Sequence, residues 1–324
     1  MDRSLRQFLA VAETGSITAA CERLHITQPT VTVSIRKLEE AYGAPLFERS
    51  SRGMVLTDCG TILYDHARGM ARLEAHARDE IAARKAGEEG PLRLGCGYTW
   101  WHLFVREVVQ EVQRASPRRR IHVEVGSSLD GLSALLTGDA VVFVGHRVPE
   151  LAPSVGAAFE PLFPVVDGFF VRAGHPLLGR PCAMAELAGY DLADTVPVRA
   201  QHRPMLGPSD SAALGRPPTG AVQRVVGSNA LTVCLDLMRM SDAVLTYPAV
   251  IETVFAVQGI ERLDVTDPPS AKPVGIYALD ERSRDPQVID LRRRIREAAE
   301  RCPLLSASDT AAASPRSIKT SPPR

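Results

Sequence analysis

The segment from Thr27 to Glu40, TQPTVTVSIRKLEE, constrains the fold most, because its two halves favour different secondary structures. Its first half alternates polar and β-branched residues as a strand does, whereas its second half contains good helix formers. The strand alternation fails at Lys37, and Pro29 falls where the first turn of a helix tolerates a missing N–H. A helical spacing instead gives one apolar stripe, formed by Val31, Ile35, Leu38 and Tyr42. We therefore predict a helix.

Two short helices are predicted before this segment, and together the three form a helix-turn-helix. The first ends at Gly15, and Ser16 suits the N-cap of the second. A tight turn, Leu24–Thr27, separates the second helix from the third. The predicted apolar faces consist of Leu5, Phe8, Leu9 and Ala12 in the first helix, and of Ile17, Ala20, Cys21 and Leu24 in the second. A small helical bundle without a special function is the alternative interpretation.

The third helix and the residues that follow it favour DNA binding over a plain bundle. The face opposite the apolar stripe carries small or hydrogen-bonding residues instead of a run of Glu and Lys. Residues 46–56 then read as a small hairpin, or wing, with Gly53 in its polar turn. A recognition helix reads base edges from its N-terminal turns, and wing arginines suit phosphate or minor-groove contacts. The predicted DNA contacts are Gln28, Pro29, Thr30, Thr32, Val33, Arg36, Arg49 and Arg52.

The charge balance limits how tightly one copy of the chain can bind DNA. The whole chain has 38 basic and 38 acidic residues, and residues 1–58 hold seven of each. Because so few phosphates are neutralised per copy, useful affinity requires a dimer or a higher assembly. The six cysteines are scattered without a C-x-x-C pair, which favours buried free thiols over a zinc site or a disulfide framework. We expect no metal and no cofactor.

Beyond the wing, the sequence predicts a long helix and then an α/β domain. Residues 57–85 follow a helical pattern rich in Ala and Arg, which suits a dimer seam, and the hinge-like GEEGP follows at residues 87–91. Strands and helices then alternate, which predicts a parallel-sheet α/β domain in two lobes. We predict a DNA-binding domain at 1–58, a linker helix and hinge at 59–90, the α/β domain at 91–301 and a disordered tail at 302–324. No apolar run suits a membrane span or a signal peptide, so we expect a cytoplasmic protein without a membrane partner.

The first 60 residues resemble the N-terminal signature of LysR-type transcriptional regulators. The residues that carry the resemblance are GSITAACERLHITQP at 15–29, LEE at 38–40, PLFER at 45–49 and LT-x-x-G at 56–60. To about residue 301 the layout is also similar, with family-like phrases GHPL at 174–177 and LAG at 187–189. The resemblance implies a winged helix-turn-helix, a dimerising linker helix and a two-lobed effector domain like periplasmic binding proteins. It also implies a homodimer or homotetramer that binds promoter DNA, acts on RNA polymerase and responds to a small-molecule effector.

The resemblance and the fold also predict an effector site between the lobes. In such folds, ligands bind at the carboxyl ends of strands, where helix N-termini offer free N–H groups to anions. The candidate contacts are Thr99, Trp100, Ser127, Ser128, His146, Pro197 and Asn229. We predict that hydroxyl groups bind a carboxylate and that Trp100 forms an apolar wall. An N-cap role for each Ser or Thr, and a core role for the Trp, remain open.

The competing interpretation is an α/β enzyme with a helical N-terminal appendage. The sequence contains no G-x-S-x-G, P-loop, G-x-G-x-x-G or H-E-x-x-H motif, and Gly95-Cys96-Gly97 is only a fragment of one. A redox sensor that uses Cys182 and Cys234 is a variant of the regulator hypothesis, although the sequence does not place the two thiols together. We therefore expect a regulator and not an enzyme.

Overall fold

A computed structural model describes residues 1–50, 53–195, 200–206, 225–267 and 270–306. The predictions for Arg52, Pro197 and the tail beyond residue 306 lie outside these residues. The chain forms two compact units, of which the first comprises Met1–Pro91 with Leu136–Asp139. The second comprises Leu92–Leu135 and Ala140–Arg324. Within the described residues, no helix is long and apolar enough to cross a membrane.

The N-terminal unit contains the predicted helices followed by a hairpin and a long helix. Its elements are α1 (Arg3–Thr14), α2 (Ile17–Leu24), α3 (Gln28–Tyr42), β1 (Phe47–Ser50), β2 (Gly53–Leu56) and α4 (Asp58–Lys85). Val31, Ile35 and Leu38 are buried together with Phe8 of α1, which confirms the helical interpretation of the opening segment. Tyr42 is 56% exposed, so its place in the stripe was wrong. It lies in the last turn of α3, directly before the Gly43 that ends the helix.

Short-range hydrogen bonds explain why the family-like residues of this unit occupy their positions. Gly15 ends α1 in the left-handed region, at φ 63°, and its carbonyl accepts a hydrogen bond from Met54 N of the wing at 2.9 Å. The Glu39 carboxylate accepts one from Leu46 N at 2.9 Å. The Thr57 hydroxyl caps α4 by accepting one from Gly60 N at 3.0 Å. These bonds fix the wing against the helices.

The second unit alternates strands and helices from Leu92 onward. Its helices are α5 (Tyr98–Trp100), α6 (Arg106–Ala115), α7 (Ser128–Leu136), α8 (Leu231–Met240), α9 (Glu252–Ala256), α10 (Pro286–Glu300) and α11 (Pro303–Ser306). Its strands are β3 (Leu92–Cys96), β4 (Ile121–Val125), β5 (Val142–His146), β6 (Ala157–Val165), β7 (Asp167–Arg172), β8 (Leu192–Asp194), β9 (Val225–Gly227), β10 (Val244–Pro248), β11 (Ile260–Arg262) and β12 (Lys272–Leu279). A π-helical turn, Trp101–Val105, joins α5 and α6 into one continuous helical run. Short 3₁₀ segments occupy Pro153–Val155, Met184–Gly189, Ala200–Met205, Ala249–Ile251 and Asp280–Arg282.

Within the described residues, strands β3–β12 of the second unit form two five-stranded sheets, one in each lobe. The first lobe has the order β4-β3-β5-β12-β6, and the second has the order β11-β7-β10-β8-β9. β3 pairs in parallel with β4 and β5, and β8 does so with β9 and β10. β12 and β7 pair antiparallel with their neighbours, so the prediction of parallel sheets was only partly right. The chain crosses between the lobes from β6 to β7 and returns from β11 to β12, and these crossing strands supply the antiparallel pairs.

The predicted start of the disordered tail at residue 302 was wrong. Pro303–Ser306 forms α11, and Cys302 and Leu305 are buried in the core of the first lobe. The apolar side chains of this short stretch therefore have a place to pack, and the ordered domain extends at least to residue 306.

The cysteines are free thiols, and all except Cys59 are buried, as the scattered spacing predicted. Burial raises the pKa of Cys96 to about 12, because the thiolate loses its hydration in the core. Cys182 and Cys234 belong to separate hydrophobic clusters. Their placement gives no support to a redox pair.

Candidate functional site

The N-terminal turns of α3 present a face that the hydrophobic core does not use. Val33 is 52% exposed, although it is an apolar residue on a helix whose other apolar side chains are mostly buried. The exposed residues on this face are Gln28, Pro29, Thr32, Val33 and Arg36. Thr30 is half-buried, and its Oγ1 lies 2.9 Å from Thr27 Oγ1. Apart from Thr30, the predicted contact residues of this helix therefore share one accessible surface, and their contacts with DNA remain predictions.

Hydrogen bonds within α3 determine which groups on this face remain available. The Thr32 hydroxyl donates to the Gln28 carbonyl at 3.0 Å, so its methyl group and an oxygen lone pair are left for a partner. Arg36 Nε lies 2.9 Å from Glu40 Oε1, and both side chains are well exposed. Such an exposed pair contributes little to stability, so a phosphate can replace the carboxylate as the partner of Arg36.

The wing is the second element of this surface. β1 and β2 pair antiparallel, with Ser50 opposite Gly53, and the backbone of Arg49 lies within β1. A side chain at Gly53 would place its Cβ 2.5 Å from the Gly15 carbonyl oxygen, so the wing requires glycine at this position. Arg52 belongs to the wing by sequence and lies outside the described residues.

A cavity of about 620 Å³ lies between the two lobes of the second unit. Its first-lobe wall consists of the turns that follow β3, β4 and β5, and its second-lobe wall includes the residues that precede α8. The volume is typical of a small-molecule site. Of the predicted effector contacts, Thr99, Trp100, Ser127, Ser128, His146 and Asn229 all line this cavity. Their contacts with an effector remain predictions.

The beginnings of three helices lie at the wall of the cavity. The helical run that starts at Tyr98, α7 and α8 all begin at its wall. The first N–H groups of a helix have no acceptor within the helix, and the helix dipole adds partial positive charge there. Such helix beginnings suit an anionic group, and the ligand of this cavity remains a prediction.

For Ser127, the structure favours the N-cap role that the sequence left open. The Ser127 hydroxyl donates to Asp130 Oδ2 at 2.8 Å and accepts from Asp130 N at 3.2 Å. Its one proton is therefore committed to a carboxylate of the protein, and only an oxygen lone pair faces a ligand. That this hydroxyl binds an effector carboxylate stays a prediction.

Trp100 is a core residue that also contributes to the cavity wall. It is 2% exposed and contacts Phe163 edge to face, with ring centroids 5.5 Å apart. Its ring also lies 5.5 Å from that of His146 at the cavity. Both of the roles that the sequence left open for Trp100 are therefore present.

Two polar groups of the cavity wall are buried without a hydrogen bond of good geometry among the described residues. They are Thr99 Oγ1 and His146 Nδ1. Burial lowers the pKa of His146, with Lys272 acting in the same direction and Asp167 opposing it. The imidazole is therefore neutral near pH 7 and offers one donor and one acceptor nitrogen. Unpaired buried groups cost free energy, and a ligand that pairs with them recovers that cost.

Sequence reasoning missed two features of this cavity. Lys272 Nζ donates to Asp167 Oδ2 at 2.8 Å, which joins the two strands that cross between the lobes. The second feature is the Tyr247 phenol at the cavity wall. Burial raises its pKa, Tyr98 acts in the same direction, and the Thr99 hydroxyl opposes them. Asp167 and Lys272 are 105 residues apart, so no local motif signals their contact.

Comparisons with known proteins agree with both halves of this architecture. Residues 3–61 match the family described as bacterial regulatory helix-turn-helix protein, lysR family, and residues 85–300 match the LysR substrate binding domain. The transcriptional regulator TfdS of Cupriavidus pinatubonensis is 36% identical over 148 residues, which are 46% of this chain and 50% of that protein. The SDS degradation transcriptional activation protein of a Pseudomonas strain is 32% identical over 196 residues, 60% of this chain and 64% of that protein. The chain thus matches about half to two thirds of the length of these curated relatives.

Solved structures show the same fold along nearly the whole chain. CbnR, a LysR family transcriptional regulator, superposes with a TM-score of 0.59 at 22% identity and covers 92% of this chain and 99% of CbnR. CbnR in complex with its target DNA gives a TM-score of 0.57 at the same identity, covering 91% of this chain and 100% of CbnR. Because the two family matches together span most of its length, this chain belongs to the LysR family.

Proposed function

We propose that the chain is a DNA-binding transcription regulator whose winged helix-turn-helix reads promoter DNA and whose α/β unit binds a small effector. The observation that carries the proposal is the accessible face of α3, opposite the buried stripe of Val31, Ile35 and Leu38. Its relatives TfdS and CbnR are named as transcriptional regulators, and CbnR has been solved with its target DNA. These relatives support a regulator over the alternative of an enzyme.

On this proposal, the exposed face of α3 and the wing form a reading surface. Its residues divide into those that contact bases and those that contact the DNA backbone. The Gln28 side chain suits an adenine edge, and the Thr32 and Val33 methyl groups suit the methyl group of thymine. Pro29 and Thr30 shape the first turn beside them, while Arg36, Arg49 and Arg52 suit phosphates or the minor groove.

We further propose that α4 joins two copies of the chain. Its large apolar side chains Ile62, Met70, Leu73 and Ile81 are all exposed in the single chain. Large exposed apolar residues on one helix are typical of an interface, and a dimer offers two reading surfaces that compensate for the zero net charge of each. A dimer or tetramer on promoter DNA, in the cytoplasm and in contact with RNA polymerase, completes the proposed setting.

The proposed effector is a small molecule with a carboxylate group. The converging helix beginnings favour the anion, and the neutral His146 and the Thr99 hydroxyl offer hydrogen bonds to it or to a neighbouring polar group. Ser128 and Asn229 lie on opposite walls of the cavity, so one ligand can contact both lobes. Binding across two lobes couples the effector to their relative position.

Replacing Thr99 by valine is expected to leave the fold intact or stabilise it by about 1 kcal/mol while weakening effector binding about tenfold. The buried hydroxyl makes no hydrogen bond of good geometry in the described residues, and valine keeps its shape without the unpaired oxygen. Urea unfolding measures the first effect, and calorimetric titration with acetate, succinate and benzoate measures the second. A loss of stability with unchanged binding would show that Thr99 serves the fold alone.

A DNase footprint on the DNA upstream of the gene, taken over a series of salt concentrations, tests the proposed function. We expect protection of a roughly palindromic site over several helical turns, and a steep loss of affinity as salt rises. Addition of a carboxylate that binds the chain is expected to shorten or shift the protected region. Equal binding to the upstream DNA and to random DNA of the same length at every salt concentration would contradict sequence-specific recognition.

A further inference from the structure

Residues 200–206, which we call the strap, follow β8 and precede β9 in the sequence. Both strands belong to the second lobe, but the strap packs on the first lobe. Met205 and Leu206 are buried in a cluster with Leu129, Leu132 and Leu135 of α7. Ala152 N donates to the Met205 carbonyl at 2.9 Å, and Leu151 forms an isolated antiparallel bridge with Leu206. The strap is therefore a physical link from the connection between β8 and β9 to the helix that begins at the effector cavity.

His202 of the strap reaches the first turn of α7 through a carboxylate. It is 1% exposed, and its Nε2 lies 3.2 Å from Asp130 Oδ1. The other oxygen of the same carboxylate, Asp130 Oδ2, accepts from the Ser127 hydroxyl at 2.8 Å and from Ser127 N at 3.3 Å. The carboxylate thus bridges the strap and the cavity wall, since Ser127 lines the cavity.

This geometry has two consequences for the cavity. With one oxygen held by His202, the Asp130 carboxylate keeps the orientation in which its other oxygen fixes Ser127. An N–H donor on the carboxylate also reduces the negative charge that Asp130 would otherwise place at the N-terminus of α7, where an anion is expected to bind. Both effects favour a ligand that approaches the first N–H groups of α7.

We propose that His202 is a positioning residue for the effector site, which acts through Asp130 to hold Ser127 and the first turn of α7 in their binding arrangement. The proposal rests on the proposed function only in taking the cavity as the effector site. The alternative is that His202 merely helps to bury the strap. Its contact with Asp130 would then have no effect on the position of Ser127 or of the first turn of α7. The two differ in what a glutamine at position 202 does, because its amide N–H can reach the carboxylate as Nε2 does.

Hydrogen exchange of the full-length chain, measured by mass spectrometry on peptides that cover residues 126–132, tests the proposal without any ligand. In His202→Ala, exchange at the first turn of α7 is expected to rise about tenfold, because the Asp130 amide depends on the Ser127 hydroxyl that Asp130 itself orients. His202→Gln is expected to restore most of the protection. Arg203→Ala, an exposed position on the same strap, serves as the matched control and is expected to change nothing.

Unchanged exchange in His202→Ala would overturn the proposal, and so would a glutamine variant that exchanges as fast as the alanine variant. Calorimetric titration with benzoate, an aromatic carboxylate small enough for the cavity, adds a functional readout. The expected affinities are about tenfold weaker for His202→Ala and near the original value for His202→Gln. If the unaltered chain binds neither benzoate nor another carboxylate, the proposed effector class fails, while the exchange experiment still decides the role of His202.

Discussion

Replacing Gly60 by alanine is expected to destabilise the DNA-binding unit by about 3 kcal/mol. The variant is expected to lose DNA binding at temperatures near the melting temperature of this protein unit. A Cβ at Gly60 would lie 2.0 Å from the Leu46 carbonyl oxygen and 2.9 Å from its carbon. Both of these atoms belong to the backbone, and the same carbonyl accepts a hydrogen bond from Thr57 N at 3.1 Å. The clash therefore displaces either the wing or the start of α4.

The same substitution at Gly69, which lies farther along the same helix, provides a control of opposite sign. A Cβ at Gly69 would meet its nearest neighbour at 3.5 Å, which is an ordinary van der Waals contact. Alanine is also the better helix former, so Gly69→Ala is expected to be neutral or to stabilise by up to about 1 kcal/mol. Urea unfolding followed by circular dichroism, with gel shifts on the same samples, compares the two variants. Equal stability of both would show that the backbone near Leu46 yields without cost.

The parts of the fold that follow from local chemistry could be predicted from the sequence. Ser16 caps α2 through a bond that spans three residues, so the signal and its effect lie together in the chain. Predicting the apolar stripe of α3 required only the helical period, and the prediction failed only at Tyr42, in the last turn. Mixed pairing of the sheets could not be predicted in this way, because β12 pairs with β5 and β6 across more than 100 residues.

The candidate site likewise contains residues that could be predicted from the sequence and residues that could not. Thr99, Ser127 and His146 were predicted from the resemblance to the family, and they lie at the ends of strands, where the carboxyl ends of parallel strands meet at one edge of a sheet. Asp167 and Lys272 come from the strands that cross between the lobes, and such a crossing leaves no pattern in the sequence. The sequence also left open which hydroxyls cap helices, a question that Asp130 decides for Ser127.

The second large effect is expected at the reading surface, where base contacts and phosphate contacts fail in different ways. Gln28→Ala and Thr32→Ala are expected to cost about 1–3 kcal/mol of binding to the cognate site and little binding to random DNA. Arg52→Ala is expected to weaken binding to both kinds of DNA and to reduce the salt slope by about 1 for each phosphate that is no longer neutralised. Fluorescence anisotropy on cognate and random duplexes, over a salt series, measures both quantities.

A charge control separates these roles from a general change in electrostatics. Arg239→Ala removes one positive charge from an exposed pair with Asp236 in α8, which belongs to the effector unit, so DNA affinity is expected to stay unchanged. Gln28 is neutral, and its loss should leave the salt slope as it is, whereas the loss of Arg52 should lower it. Equal loss on cognate and random DNA for Gln28→Ala, Thr32→Ala and Arg52→Ala would refute the assigned roles. Sequence preference would then have to come from Val33 or from DNA shape, since neither Gln28 nor Thr32 would distinguish the bases.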